Sequence, residues 1–294
     1  METQHARTSF GHQQPFLDVR AGRPHTVSMA DEEPEQEGEQ GSSPASRGGA
    51  GAYIEGELGA LYLLSMLAGI PAHGMPGARI TSVLFQGTDQ GYSLDDVILH
   101  GTSPSGTVLL EIQSKRDISF SPKDSVYADV AAQIARSKSG SVAEERHYLG
   151  IATQRTSRKI SGAYQDVLKW AAKAKDAKAF FDRLAARGVA NGAMREFVAT
   201  SRKHFTANGI EDKDEAIWRI LKRMLILEFD FEASASFVRT HGLMLARQVL
   251  ADEQTGQAEA LWRTLIEMTA ETAATGGTIE RDALKQKLGD IGYK

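Results

Sequence analysis

Residues 93–115, SLDDVILHGTSPSGTVLLEIQSK, decide the fold. Two apolar runs flank a Gly-Thr-Ser-Pro-Ser-Gly connection, which is the signal of a β-hairpin. Side chains alternate between the two faces of a strand. On the second strand Val108, Leu110 and Ile112 therefore share one face, and Leu109, Glu111, Gln113 and Lys115 share the other. The first strand carries Asp95-Asp96 directly before Val97-Ile98-Leu99. Charged groups on an otherwise apolar strand are costly unless paired or bound to metal. Hard divalent cations take carboxylate and carbonyl oxygens, and a nearby ammonium steadies charge on a phosphoryl oxygen. These parts suit metal-assisted hydrolysis of a phosphodiester. Alternation puts Asp96 with Leu94 and Ile98, and Asp95 with Val97, so it does not choose between the acids.

Outward from the hairpin, residues 53–68 read as a helix, with Ile54, Leu58, Leu61 and Leu64 at helical spacing. Glu55 and Glu57 sit in its first turn, where acids also favour the helix dipole; Glu57 edges the apolar stripe. A Gly/Pro loop leads to a short strand at 80–86. After the hairpin, 125–137 reads as a helix with Val126, Val130 and Ile134 on one stripe and Gln133 beside it. Residues 148–153 (YLGIAT) form a strand, followed by Gln154, Arg155, Arg158 and Lys159, whose polar and charged ends suit phosphate contacts. Strands interleaved with helices predict an α/β fold with a mixed sheet flanked by helices.

At these residues the chain resembles the PD-(D/E)xK nuclease superfamily, and most closely the double-stranded-DNA endonuclease domains of bacterial antiphage (CBASS-type) effectors. The resemblance spans roughly residues 50–160 and rests on LDDV followed by IQSK. It implies that Asp96 is the strand acid and that Gln113-Ser114-Lys115 is a Q-x-K form of the (D/E)-x-K element. It also implies that an acid on the first helix, Glu57, helps to hold metal. Gln113 replaces the usual second carboxylate, so Mg²⁺ (or Mn²⁺) would take an amide oxygen there or recruit Glu111. Lys115 would then position the attacking water or steady the phosphate, with Gln133 a polar neighbour. The implied protein is a DNA endonuclease acting as an antiphage effector on double-stranded DNA. It would work as a homo-oligomer, with a sensor or ATPase partner. The alternative is a catalytically inactive nuclease-fold module for protein assembly, with Asp96 and Lys115 as a buried ion pair.

Residues 1–50 are polar, Gly- and Pro-rich, and lack the apolar area that offsets ordering entropy; they read as a disordered tail. Residues 51–163 then form the nuclease-like α/β domain. Residues 164–294 read as an α-helical domain, with helices expected at 164–186, 214–228, 233–250 and 257–272. Lys169, Lys173, Lys175, Lys178 and Arg183 make one side of it basic. Trp170, Trp218 and Trp262 are expected in cores. The 294 residues contain no cysteine, which excludes disulfides, thiolate catalysis and Cys-based zinc sites, and fits a cytoplasmic location. No apolar run is long enough for a membrane span. A net charge of −4 leaves any contact with nucleic acid to local basic patches. Phosphate-loop, dinucleotide and nucleophile-elbow motifs are missing, so ATP-driven work by this chain is not expected.

Overall fold

The computed structural model describes residues 49–137, 144–154, 156–230 and 236–289. The tail expected at 1–50, apart from its last two residues, lies outside them, as does Arg155. At the centre stand β1 (Arg79–Phe85), β2 (Val97–Ser103), β3 (Gly106–Lys115) and β4 (His147–Thr153). β2 and β3 form the expected hairpin, Val97 opposite Ile112 and Ser103 opposite Gly106. The strands run on through Gly101, Thr102 and Ser103, so the turn shrinks to Pro104-Ser105. Gly106 takes φ 117° there, which a residue with a Cβ resists.

Six strands form one mixed sheet in the order β5-β4-β3-β2-β1-β6. Its outermost strands, β5 (Met224–Glu228) and β6 (Gly277–Glu280), come from the half expected to be purely helical. β5 lies parallel to β4, and β6 antiparallel to β1. Residues 42–294 form one compact unit, so the expectation of a separate helical domain from residue 164 is corrected. The misreading has a physical cause. MLILE is apolar on both faces, as parallel strands are, and it continues an apolar helix, so periodicity alone cannot separate the two. The helix α6 stops at Leu221, and Lys222-Arg223 carry the chain into the strand. Similarly, the single helix expected at 164–186 is a π-helical turn (Lys159–Tyr164), α3 (Gln165–Lys173) and α4 (Ala177–Ala185). Asp176 caps α4, accepting from the Ala179 amide at 2.7 Å.

Each face of the sheet carries its own layer of helices. On the face of Val83, Val97, Leu110 and Ile112 lie α1 (Gly49–Ala68), α7 (Phe237–Val249), α8 (Ala258–Thr275) and α9 (Arg281–Lys287). On the face of Leu149, Ile151 and Ile226 lie α2 (Ser125–Arg136), α3, α4, α5 (Gly192–Ala207) and α6 (Asp214–Leu221). Trp218 and Trp262 are buried in these layers, whereas Trp170 is half-buried under the Arg183 guanidinium, 3.9 Å from its ring. Among the described residues no helix is long and apolar enough to cross a membrane.

The helix α1 is apolar almost all round because it is covered on both sides, by the sheet and by α7 and α8. Gly59 permits this: a Cβ there would lie 2.3 Å from Thr269 Cγ2 and 2.7 Å from Phe85 Cε1. Alanine at an ordinary helical glycine gains helix propensity. Here overpacking wins, and Gly59→Ala is expected to lose about 1–3 kcal/mol in urea unfolding. A more stable variant would mean that α1 can shift off α8 freely.

The start of α2 is set by Asp124, which accepts from Ser119 N (2.6 Å), Phe120 N (3.1 Å) and Tyr127 N (3.2 Å). These bonds hold Phe120 at φ 55°, fully buried against Tyr127, Tyr164 and Phe197. Burial would raise the Asp124 pKa, but the hydrogen bonds from Ser119, Tyr127 and Phe120 together outweigh it and hold the carboxyl below its usual range. A lowered folded pKa means stability present above the unfolded value and lost as pH falls through the folded one. Asp124→Ala is therefore expected to cost about 1 kcal/mol at neutral pH. That difference should vanish in strong acid when denaturation midpoints of both proteins are followed; a pH-independent difference would rule out the carboxylate as its source.

Candidate active site at the end of the hairpin

Asp96 and Gln113 meet. Antiparallel register puts the residue before Val97 beside the one after Ile112, and both side chains are 2% exposed. Gln113 Nε2 donates to Asp96 Oδ2 at 2.7 Å, and the Ser114 amide donates to the same oxygen at 2.7 Å. Asp95 is instead half-buried and accepts from the Thr88 hydroxyl, so the two acids differ in environment as well as in face. Gln113 Oε1 is buried with no hydrogen-bond partner. A buried polar atom left this way is costly and calls for a water, an ion or a ligand.

Lys115 lies one alternation further along the same strand face, about 6.6 Å on. It is partly exposed, and its ammonium makes no hydrogen bond or ion pair among the described residues. It sits beside Thr153 in the parallel pairing with β4.

Helix geometry carries Gln133 of α2 towards the same level. The Ser137 hydroxyl, at the end of α2, donates to Glu111 Oε1 at 3.3 Å. Gln133 precedes Ser137 by about one turn, a step of about 5.4 Å. The step along β3 from Glu111 to Gln113 is about 6.6 Å. Because a crossover helix runs antiparallel to the parallel strands it joins, Gln133 stands over the Gln113 level. Its Oε1 is likewise buried with no hydrogen-bond partner.

Glu111 serves a different purpose. It is 1% exposed and accepts from the Ser93 and Leu94 amides (both 3.1 Å) and from His147 Nε2 at 2.7 Å, besides Ser137. Arg223, also buried, approaches His147 Nδ1 at 3.5 Å. Guanidinium can only donate, so Nδ1 accepts and Nε2 carries the proton given to Glu111. Glu111 Oε2 thus holds the segment that leads into Asp96, while Oε1 is taken by His147 and Ser137. Sequence reasoning missed His147 and Arg223. Alternation with Leu149 and Ile151 puts His147 on the face of Glu111, which was the available signal; Arg223 had none, since it lay inside an apparent helix.

Glu57 is 1% exposed on α1, which covers the sheet face opposite to Gln113. Two residues on, Gly59 lies against Phe85 at the end of β1, the strand end that pairs with Val97. Glu57 is therefore at the right end of the sheet but on the other side of it from Gln113. Among the described residues no three His, Asp or Glu side chains are grouped as metal ligands would be. The donors in reach are a carboxylate and amide oxygens, which match a hard cation in kind. They are few, as suits Mg²⁺, which keeps several waters and takes one or two protein oxygens beside substrate phosphate.

The remaining cations are dispersed. Lys169 and Lys173 are exposed on α3 without ion pairs among the described residues, on the same side of the sheet as Gln113. Lys175 and Lys178 pair with Asp176 and Asp182, and Lys159 pairs with Glu196 at 3.3 Å. No family model, curated protein or solved structure matches this chain.

Proposed function

We propose that the protein is a metal-dependent DNA endonuclease whose site is Asp96, Gln113 and Lys115. The observation that carries this reading is the unsatisfied, buried Gln113 oxygen beside the Asp96 carboxylate, with an ammonium one step along the strand that bonds to nothing among the described residues. Asp96 and Gln113 Oε1 would hold Mg²⁺ or Mn²⁺, with Glu57 reaching the same end of the sheet from α1. When bound, such an ion would supply Lewis-acid polarisation of a phosphoryl oxygen and lower the pKa of a coordinated water. Lys115 places positive charge where the phosphate becomes more negative on attack. Gln133 closes the site from above and orients water through its amide. Lys169 and Lys173 attract the DNA backbone on the same side of the sheet. Double-stranded DNA as substrate, assembly into a homo-oligomer, a sensor or ATPase partner and the antiphage setting rest on sequence resemblance alone.

A second reading has its own support. Asp96 Oδ2 already takes two short hydrogen bonds, and a glutamine stands where catalysis would use a carboxylate. On this reading the hairpin end is a structural anchor in a non-catalytic assembly module. Supercoiled plasmid incubated with Mg²⁺, Mn²⁺ or EDTA separates the two. Metal-dependent nicking by the wild type that Asp96→Asn abolishes supports the nuclease. No nicking at any protein concentration, with folding intact, favours the module.

A further inference from the structure

A cavity of about 380 Å³ opens at the ends of β4 and β5, between α1 and the start of α7. It shares the sheet end of Lys115, two strand spacings away, or about 10 Å, but faces the α1 side. Its walls are aromatic. Phe229 lies edge-on to His73 at 5.5 Å, and Phe237, 73% exposed, stacks on His241 with the rings 4° from parallel. The Tyr62 hydroxyl donates to the His73 carbonyl at 3.2 Å and so ties the loop after α1 across the cavity.

The polar groups restrict what fits. Gln154 lines the cavity with a buried Oε1 that has no hydrogen-bond partner, and its amide nitrogen has none among the described residues. Glu228 also lines it, with one oxygen taken by Gln165 at 3.2 Å. Asp230 is spent on the Phe237 and Val238 amides. Desolvation, only partly offset by Glu228 and reinforced by His241, holds His73 below the usual histidine range, so it adds no cation at neutral pH. Among the described lining residues the permanent charges are carboxylates, which repel phosphate. The site therefore suits a flat neutral ring with an amine beside a ring nitrogen. A glutamine amide reads that edge with two hydrogen bonds, as it does on adenine, while a stacking platform holds the ring.

We propose that this cavity binds an unstacked adenine base. Adenine's amine would donate to Gln154 Oε1 or Glu228, its ring nitrogen would accept from Gln154 Nε2, and its face would lie on Phe237. The inference rests on the nuclease reading only for the source of the base, a nucleotide flanking the cleaved phosphate. Extrusion of that base is easiest at unpaired or mismatched positions, which would steer cleavage to them.

The test is calorimetric titration of the full chain with adenosine, inosine, guanosine, thymidine and spermidine. Wild type, Lys115→Ala, Gln154→Leu and Phe237→Ala are compared, with melting curves to confirm folding. Adenosine should bind wild type and Lys115→Ala equally. Inosine, which lacks the amine, should bind about fivefold or more weakly, and Gln154→Leu and Phe237→Ala should each weaken adenosine at least as much. No heat from adenosine up to about 5 mM overturns the proposal. So does inosine, guanosine or thymidine binding as tightly as adenosine, or spermidine binding in its place. Adenosine binding by a protein that never cuts DNA would sink the nuclease reading and leave the pocket standing. Cleavage without nucleoside binding would do the reverse.

Discussion

Lys115→Ala is expected to lower metal-dependent plasmid cleavage by about 10²–10³-fold, the usual cost of removing one group that stabilises charge in the transition state. The melting temperature should stay where it is. The side chain is partly exposed and bonded to nothing among the described residues, and such substitutions change stability by about 0.5 kcal/mol or less. That separation of activity from stability is what makes the variant informative. Lys115→Arg keeps the charge but spreads it over a planar fork, and should recover only part of the rate. Wild-type activity in Lys115→Ala would remove the residue from the site. A large loss of stability would point instead to Lys115 as a structural anchor of the strand end, in line with the assembly reading, although the buried ion pair with Asp96 expected there is not formed among the described residues.

Glu111→Ala should behave in the opposite way, losing stability first. The substitution strips partners from two backbone amides, the Ser137 hydroxyl and the buried His147, whose other ring nitrogen faces Arg223. Removing one member of a buried charged network costs about 3–5 kcal/mol, well above the loss expected for Gly59→Ala. Cleavage should fall as well, because residues 93–94 are pinned by Glu111 and lead directly into Asp96. Glu111→Gln is the finer probe: one oxygen becomes an amide NH₂ group facing donors, so about 1–3 kcal/mol should be lost with almost no change in side-chain volume. Urea denaturation of both variants checks this. If Glu111→Ala unfolds within 1 kcal/mol of wild type (roughly the net worth of one hydrogen bond), the network is not holding the strand entry. Glu111 would then be available as the metal ligand that the sequence first suggested.

Local chemistry in the chain was enough for several elements. The hairpin follows from alternation on either side of the Gly-Thr-Ser-Pro-Ser-Gly connection, and it forms with a shorter turn than that, Asp96 arriving beside Gln113. α2 begins at Ser125 as read, because the Asp124 side chain accepts from the Tyr127 amide in its first turn. Those are interactions between near neighbours, and such interactions leave a signature at short spacing. The two outer strands left no such signature. MLILE becomes a strand because β4 offers it a parallel edge and helices cover both faces. GTIE becomes one because β1 has a free edge some 200 residues earlier in the chain. Glu111 shows the same limit within the site. Its face was legible by counting residues in twos, but its partners were not, since His147 and Arg223 come from β4 and from the end of α6. The sequence by itself determined which side chains share a strand face; it left open which of the two acids stands next to the amide. Only the tertiary structure decided which of those groups are spent on holding the chain and which are left to bind something else. Hydrogen-bond capacity is assigned by whatever packs against a residue, and no spacing within the chain records that.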